Sequence, residues 1–311
     1  MLPHDCTRRR LLQGLSAAGV SMLLAPGASQ GQAPAQRKLH VACNQWNWSV
    51  FYRREKRDFA QSLEAGLAEV ARSGMDGFEP GAGSPDQLEQ LGPVLKKHGL
   101  EMRSLYCGST LHDPQQAQQS IETVVAVAQK AKSLGTKIIV TNPSPLRSGG
   151  SKDKDDRQLR LQAESLDKLG AQLRAMGLVL AYHNHDVELR NAAREFHHML
   201  LGTDPKNLAL CLDCHWVYRG AGNSQVALFD VLRLYGPRVV ELHLRQSVGN
   251  VWSETFGPGD IDYPAVAKYL AEIGVKPHLV LEQGPEAATP HTMDAIESHR
   301  KGRAYVEQVF A

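Results

Sequence analysis

Cysteine is scarce in this chain, with five in 311 residues. Aromatic residues make up only 6%, and neither sign of charge is in excess, with 35 Lys and Arg against 33 Asp and Glu. The 42% hydrophobic and 22% charged content is that of a globular protein, which excludes disorder, collagen-like repeats and coiled coil. The length excludes a disulfide-stapled mini-protein. Past the first two dozen residues no run of 18 or more apolar residues occurs, so no membrane span is expected in the mature protein. A glycine-rich phosphate loop after the first apolar run is also missing.

The N-terminus reads as an address. Thr7-Arg8-Arg9-Arg10-Leu11-Leu12 is a twin-arginine pattern, followed by an apolar stretch from Leu11 to Leu24 and small residues from Ala25 to Ala35. That is the order of an export signal. At 14 residues the apolar stretch is short of the about 20 needed to cross a bilayer. No cysteine follows a small-residue lipobox, so no stable membrane anchor is expected. Residues 1–35 are therefore assigned to the signal and its cleavage region, and 36–311 to the folded domain. The mature protein is expected in the periplasm, exported folded, by a route that suits proteins loading a metal first. Setting aside Arg8, Arg9, Arg10 and Asp5 leaves 32 positive and 32 negative side chains. That balance argues against a nucleic-acid partner.

Cys6 falls in the signal, leaving Cys43, Cys107, Cys211 and Cys214. Cys211 and Cys214 form C-x-x-C, but within an apolar strand pattern and with no second pair. Alternation sends residues three apart to opposite faces of a strand, so buried thiols are expected rather than a zinc or redox motif.

Short apolar runs alternate with helical patterns. The strands are expected at Leu39–Asn44, Gly77–Pro80, Glu101–Cys107, Lys137–Asn142, Leu178–His183, Leu208–Asp213, Val239–Leu244 and His278–Glu282. Amphipathic helices are expected at Phe59–Ser73, Gln119–Leu134, Lys154–Met176 and Tyr263–Ile273. Gly74, Gly99, Gly135, Gly177 and Gly274 each stand between a helix and the next strand, where glycine relieves a left-handed turn. Eight such units predict an α/β fold, a single (β/α)8 TIM barrel. A doubly wound sheet is the competitor, disfavoured by the missing phosphate loop. The polar stretch Ser148–Asp156 is expected to be a mobile loop after the fourth strand.

Polar groups end nearly every strand, and in a barrel those ends build the active site. They are Glu79, Asn142, His183-Asn184-His185-Asp186, Asp213 with His215, His243 with Arg245, and Glu282. His183, Asp213, His243 and Glu282 come from four successive strands, 30, 30 and 39 residues apart. Two imidazoles and two carboxylates suit one divalent ion, Mn2+ by preference, with Co2+, Fe2+, Ni2+ and Zn2+ as alternatives.

These segments resemble the sugar phosphate isomerase/epimerase group of the xylose isomerase-like TIM barrels, over roughly residues 38–311. The carriers are Gly74-Met75-Asp76-Gly77-Phe78-Glu79, Ala181-Tyr182-His183-Asn184-His185-Asp186 and Leu210-Cys211-Leu212-Asp213-Cys214-His215-Trp216. Others are Glu241-Leu242-His243-Leu244-Arg245, Gly257-Pro258-Gly259-Asp260-Ile261-Asp262-Tyr263 and Leu279-Val280-Leu281-Glu282. The resemblance implies one divalent metal held by Glu, Asp, His and Glu from the last four strands. Asp213, His243 and Glu282 match. His183 stands where many members have glutamate, and by side-chain alternation His185 is the other candidate ligand. A two-glutamate proton exchange is therefore not available in its usual form, whereas 1,2-proton shuttling or β-elimination by a His/Glu pair is.

The implied chemistry removes the proton beside a metal-polarised sugar carbonyl. Glu282 or His185 is the expected acid or base, Arg245 the group steadying the oxyanion, and Glu79 a partner for a sugar hydroxyl. Trp46, Trp216, His215 and Asn142 are the expected substrate contacts. With no Arg/Lys cluster at the strand ends, a free sugar, keto-sugar or 3-keto-glycoside is expected. Dimers or tetramers are usual among similar proteins, so a homo-oligomer is open. The rival readings are a periplasmic sugar-binding or partner barrel without turnover, and an endonuclease IV type of enzyme. The latter lacks its histidines here: Trp216 and Val248–Phe256 stand where that cluster needs them.

Overall fold

The computed structural model describes residues 39–147 and 149–311. The export reading of residues 1–35 lies outside the described residues. Each apolar run expected as a strand forms one. In chain order, β1 (Val41–Asn44) leads into α1 (Gln45–Arg54) and α2 (Leu63–Arg72). Next come β2 (Gly77–Glu79), α3 (Pro85–His98), β3 (Ser104–Tyr106), α4 (Ala117–Ser133), β4 (Ile138–Thr141) and α5 (Asp156–Ala175). Then β5 (Val179–His183), α6 (Arg190–Leu201), β6 (Leu208–Asp213), α7 (Cys214–Gly220), α8 (Gln225–Tyr235) and β7 (Val239–Leu244) follow. The chain ends with β8 (Ser247–Val248), β9 (Val251–Trp252), α9 (Tyr263–Glu272), β10 (His278–Leu281) and α10 (Ala295–Phe310). No helix among the described residues is long and apolar enough to cross a membrane.

Eight parallel strands pair in the order β2-β1-β10-β7-β6-β5-β4-β3, so each strand lies beside its sequence neighbour in the ring. The two ends meet through Gly77–Glu101 and Gly81–Tyr106 bridges, with Phe78 N donating to Glu101 O at 2.9 Å and Ala82 N to Tyr106 O at 3.0 Å. Gly77 permits that approach, since a Cβ there would lie 2.7 Å from Glu101 O. The architecture is an eight-stranded parallel, near-closed barrel, as expected.

Period-2 alternation sorts the strand residues into two environments. Leu208, Leu210 and Leu212 of β6 join the main apolar core, which also takes in the helical leucines Leu166, Leu169, Leu173, Leu228 and Leu232. Cys211, with Ile138, Val140 and Ala181, forms a separate small cluster inside the ring. The helices start where the sequence supplies caps. Asp155 accepts from Gln158 N in a capping box, and Asp213, Asp262 and Asp294 each cap the helix that follows. All five glycines expected to end helices have positive φ, from +67° to +101°.

Two local features depart from expectation. Residues 150–155 are not a free loop: Arg190 Nη1 donates to Gly150 O, Asn191 Nδ2 to Asp153 Oδ2, and buried Lys154 pairs with Glu195 at 2.6 Å. Arg190 and Asn191 sit at the start of α6, where Asn191, Ala192 and Ala193 take φ of 52°, 56° and 57°, and Glu195 follows within the helix. The second feature is the β8–β9 hairpin, whose Gly249 and Asn250 both have positive φ, the signature of a two-residue type I′ turn. Asp260 holds it by accepting from Gly249 N, Asn250 N and Ser247 Oγ.

Candidate active site

The strand ends gather the ionisable groups inside the barrel in two levels. The lower level is built around His243 of β7. Its Nε2 lies 3.1 Å from Glu79 Oε1 and 3.1 Å from Glu241 Oε1. Asn44 Nδ2 donates to Glu79 at 2.5 Å, and the Cys211 thiol lies 3.6 Å from Glu241 and 3.8 Å from His183 Nδ1. Glu79, Glu241, His243, Cys211 and His183 are all without solvent exposure. Burial and the adjacent Glu79 charge push Glu241 up to about 8. Burial works in the same direction on Glu79, but the His243 charge and hydrogen bonds outweigh it and hold Glu79 near 2.

The upper level faces the barrel mouth. Glu282 places Oε2 at 2.8 Å from His243 Nδ1 and Oε1 at 3.3 Å from Arg245 Nη2. Burial disfavours its charge, yet Arg245 and His243 hold it below the usual carboxylate range. Asp213 spends Oδ1 on the Trp216 amide at 2.9 Å as the cap of α7, and its Oδ2 has no hydrogen-bond partner. Arg245 Nη2 is 3.8 Å from that oxygen. Burial lifts Asp213 to about 6. His183 Nε2 is also buried and unpartnered.

These atoms fit a divalent cation. His183, Asp213 and Glu282 each offer one ligand atom within 4.8 Å of the others. His243 reaches the same carboxylate, Glu282, through Nδ1. Four buried carboxylates (Glu79, Glu241, Asp213, Glu282) face one buried guanidinium, Arg245. Even with His243 as an imidazolium the cluster is short of two positive charges, and buried charge is costly unless paired. Either protons or a divalent ion must make up the difference.

Above this floor opens a cavity of about 450 Å³. Its wall includes Asn44, Trp46, Tyr106, His185, Trp216, Arg245 and Glu282. Arg245 is caged by indoles, with its guanidinium 4.9 Å from the Trp46 ring, 5.0 Å from Trp216 and 4.3 Å from Trp252. His185 is half-buried beside His183, ring centroids 4.8 Å apart. Burial lowers it to about 4, so its imidazole is neutral at ordinary pH.

Three residues expected at the substrate lie behind the wall instead. Glu79 is below the floor, tied to Asn44 and His243. Asn142 donates Nδ2 to His183 O at 2.8 Å and to Glu188 Oε1 at 3.1 Å, which buries it as a brace. His215 is the second residue of α7 and sits fully buried against Tyr218 and Trp252. The sequence reading missed Glu241, although Glu241-Leu242-His243-Leu244-Arg245 alternates strictly and so announces three inward side chains. It also missed Glu188, whose Oε2 accepts from His185 N at 2.7 Å, and Trp252 on the hairpin.

Residues 67–299 match the family described as xylose isomerase-like TIM barrel. An inosose dehydratase of Clostridium botulinum (strain Alaska E43 / Type E3) is 24% identical over 277 residues, spanning 79% of this chain and 89% of the relative. Among solved structures, a 3-keto-D-glucoside 4-epimerase from E. coli aligns with a TM-score of 0.65 at 16% identity, covering 87% of this chain and all of the other. A xylose isomerase-like TIM barrel protein from Mycobacterium smegmatis in complex with magnesium gives 0.67 at 17% identity, over 88% and 96% of the two chains. The closed ring of eight strands, the polar strand ends and the family match agree, and the chain belongs to the xylose isomerase-like TIM barrels.

Proposed function

We propose that the protein is a divalent-metal-dependent enzyme that removes the proton beside the carbonyl of an unphosphorylated keto-sugar, inosose-like ketone or 3-keto-glycoside. The observation that carries this is the pair of buried, unpartnered ligand atoms, His183 Nε2 and Asp213 Oδ2, converging with Glu282 beneath an open cavity. His183, Asp213, His243 and Glu282 would hold the ion. When bound, it supplies Lewis acidity toward a carbonyl oxygen and the neighbouring hydroxyl.

The chain's own groups do the rest. Glu282, ionised and facing the cavity, or His185, neutral and on the same wall, takes the proton from carbon. The Arg245 guanidinium sits beside Glu282, where it stabilises negative charge developing on substrate oxygen. Trp46 and Trp216 offer flat apolar faces for the C–H side of a sugar ring. Returning the proton to the neighbouring carbon or the opposite face gives isomerisation or epimerisation. Expelling a β-hydroxyl gives dehydration, the second reading, favoured by the inosose dehydratase relative.

The test is metal analysis of protein purified without chelator, alongside Asp213→Ala, followed by solvent deuterium incorporation into keto-sugars. About one divalent ion per chain, lost in the variant, with deuterium entering a substrate, is expected. Metal-free wild-type protein that exchanges no deuterium would leave a sugar-binding barrel without turnover. We further propose export by the twin-arginine route to the periplasm. Replacing Arg8, Arg9 and Arg10 with lysine is expected to strand the protein in the cytoplasm, as read by fractionation.

A further inference from the structure

The imidazole of His243 is gripped at both nitrogens. Nδ1 lies 2.8 Å from Glu282 Oε2, on the cavity side. Nε2 lies 3.1 Å from both Glu79 Oε1 and Glu241 Oε1. Even where Glu241 keeps its proton, Glu79 is an ionised carboxylate that can only accept, so Nε2 is the atom that carries a proton and donates. Both carboxylates are themselves fixed. Glu79 accepts from Asn44 Nδ2, and Glu241 lies within reach of the Cys211 thiol. Neither glutamate lines the cavity, so neither touches substrate.

We infer that Glu79 and Glu241 are positioning residues for His243: they pin one proton on Nε2 and thereby leave Nδ1, beside Glu282, as the nitrogen whose proton a divalent ion would displace. This rests on the metal reading proposed above. Metal-bound histidines are commonly oriented this way by a carboxylate on the far nitrogen, and losing the partner typically costs about 10–100-fold in metal affinity. Here the role is shared by β2, three strands away in the ring, and by β7, the strand that carries His243 itself. Glutamine in either position keeps the size but can turn its amide to donate into Nε2. The proton would then move to Nδ1, which loses its lone pair.

The experiment compares wild type, Glu79→Gln, Glu241→Gln and the double variant. Mn2+ affinity is measured by electron paramagnetic resonance. Imidazole tautomers are read by long-range proton–nitrogen NMR on Zn2+-loaded protein with 15N-labelled histidine. Each single variant is expected to bind Mn2+ about 10-fold more weakly and the double variant about 100-fold more weakly. Wild-type His243 is expected to be protonated on Nε2 alone, a signature that general loosening of the core would not produce. If the double variant fails to fold, the wild-type tautomer decides. A wild-type protein that binds Mn2+ but carries the His243 proton on Nδ1, or a double variant that binds within twofold of wild type, overturns this inference and leaves the metal reading standing. A wild type that takes up no Mn2+ overturns both.

Discussion

Glu241 pairs with the proton inventory of the whole cluster. Pushed up to about 8 by burial and by Glu79, it keeps its proton in the folded, metal-free protein where an unfolded chain has lost it. Its contribution to stability is therefore complete below about pH 4.5 and declines as pH rises toward 8. Chelated protein should show a falling Tm across that window, and Glu241→Gln, which cannot ionise, should flatten the fall. Thermal scans from pH 5 to 8 check this. Asp213 gives the complementary expectation. Burial holds its proton to about 6, so divalent-ion affinity should weaken as pH drops through that value, read by Mn2+ titration at pH 5, 6 and 7. At the cavity wall, Arg245→Lys should cost more in turnover than in fold. Lysine keeps the charge but loses the planar face that three indoles cover.

At the scale of elements, the β8–β9 hairpin is the piece that brings Trp252 to Arg245. Its turn depends on Asp260, which satisfies two backbone amides and a hydroxyl at once. Hydrogen bonds to a charged group are worth about 1.5–3 kcal/mol each when buried, and less at this partly exposed position. Asp260→Ala should lower Tm modestly and raise KM more than it lowers kcat, measured by scanning calorimetry and steady-state kinetics. The same hairpin shows where sequence reading stops. Strand ends on β5, β6, β7 and β10 were legible, because an apolar run closing on a histidine or carboxylate marks an inward polar group. The Gly-x-Gly-x-Ile-Asp segment was recognised, yet its job of clamping a turn ten residues earlier leaves no local periodicity. Asn142 and His215 misled for the opposite reason. Both follow strand ends, but one turns sideways to brace β5 and the other is carried behind the wall by the first turn of α7.

Across the whole molecule, the barrel was readable because each βα unit announces itself with an apolar run and a closing glycine. How its seam closes was not. The β2–β3 seam rests on a few backbone bonds and on the absence of a side chain at Gly77. A methyl there would meet Glu101 O and the His40 ring, both at 2.7 Å. Overpacking of this kind costs about 1–3 kcal/mol, so Gly77→Ala should lower the unfolding midpoint and raise hydrogen exchange in β2 and β3 first.

The chain has four tryptophans, Trp46, Trp48, Trp216 and Trp252, and three of them ring one guanidinium at the mouth of the barrel. The fourth, Trp48, is stacked on His299 away from that cage. The protein's ultraviolet emission is thus concentrated in the place where a ligand would enter. Unlabelled protein should report occupancy through its own fluorescence, and quenching or a spectral shift on adding a sugar would turn a search for substrates into a plate-reader titration.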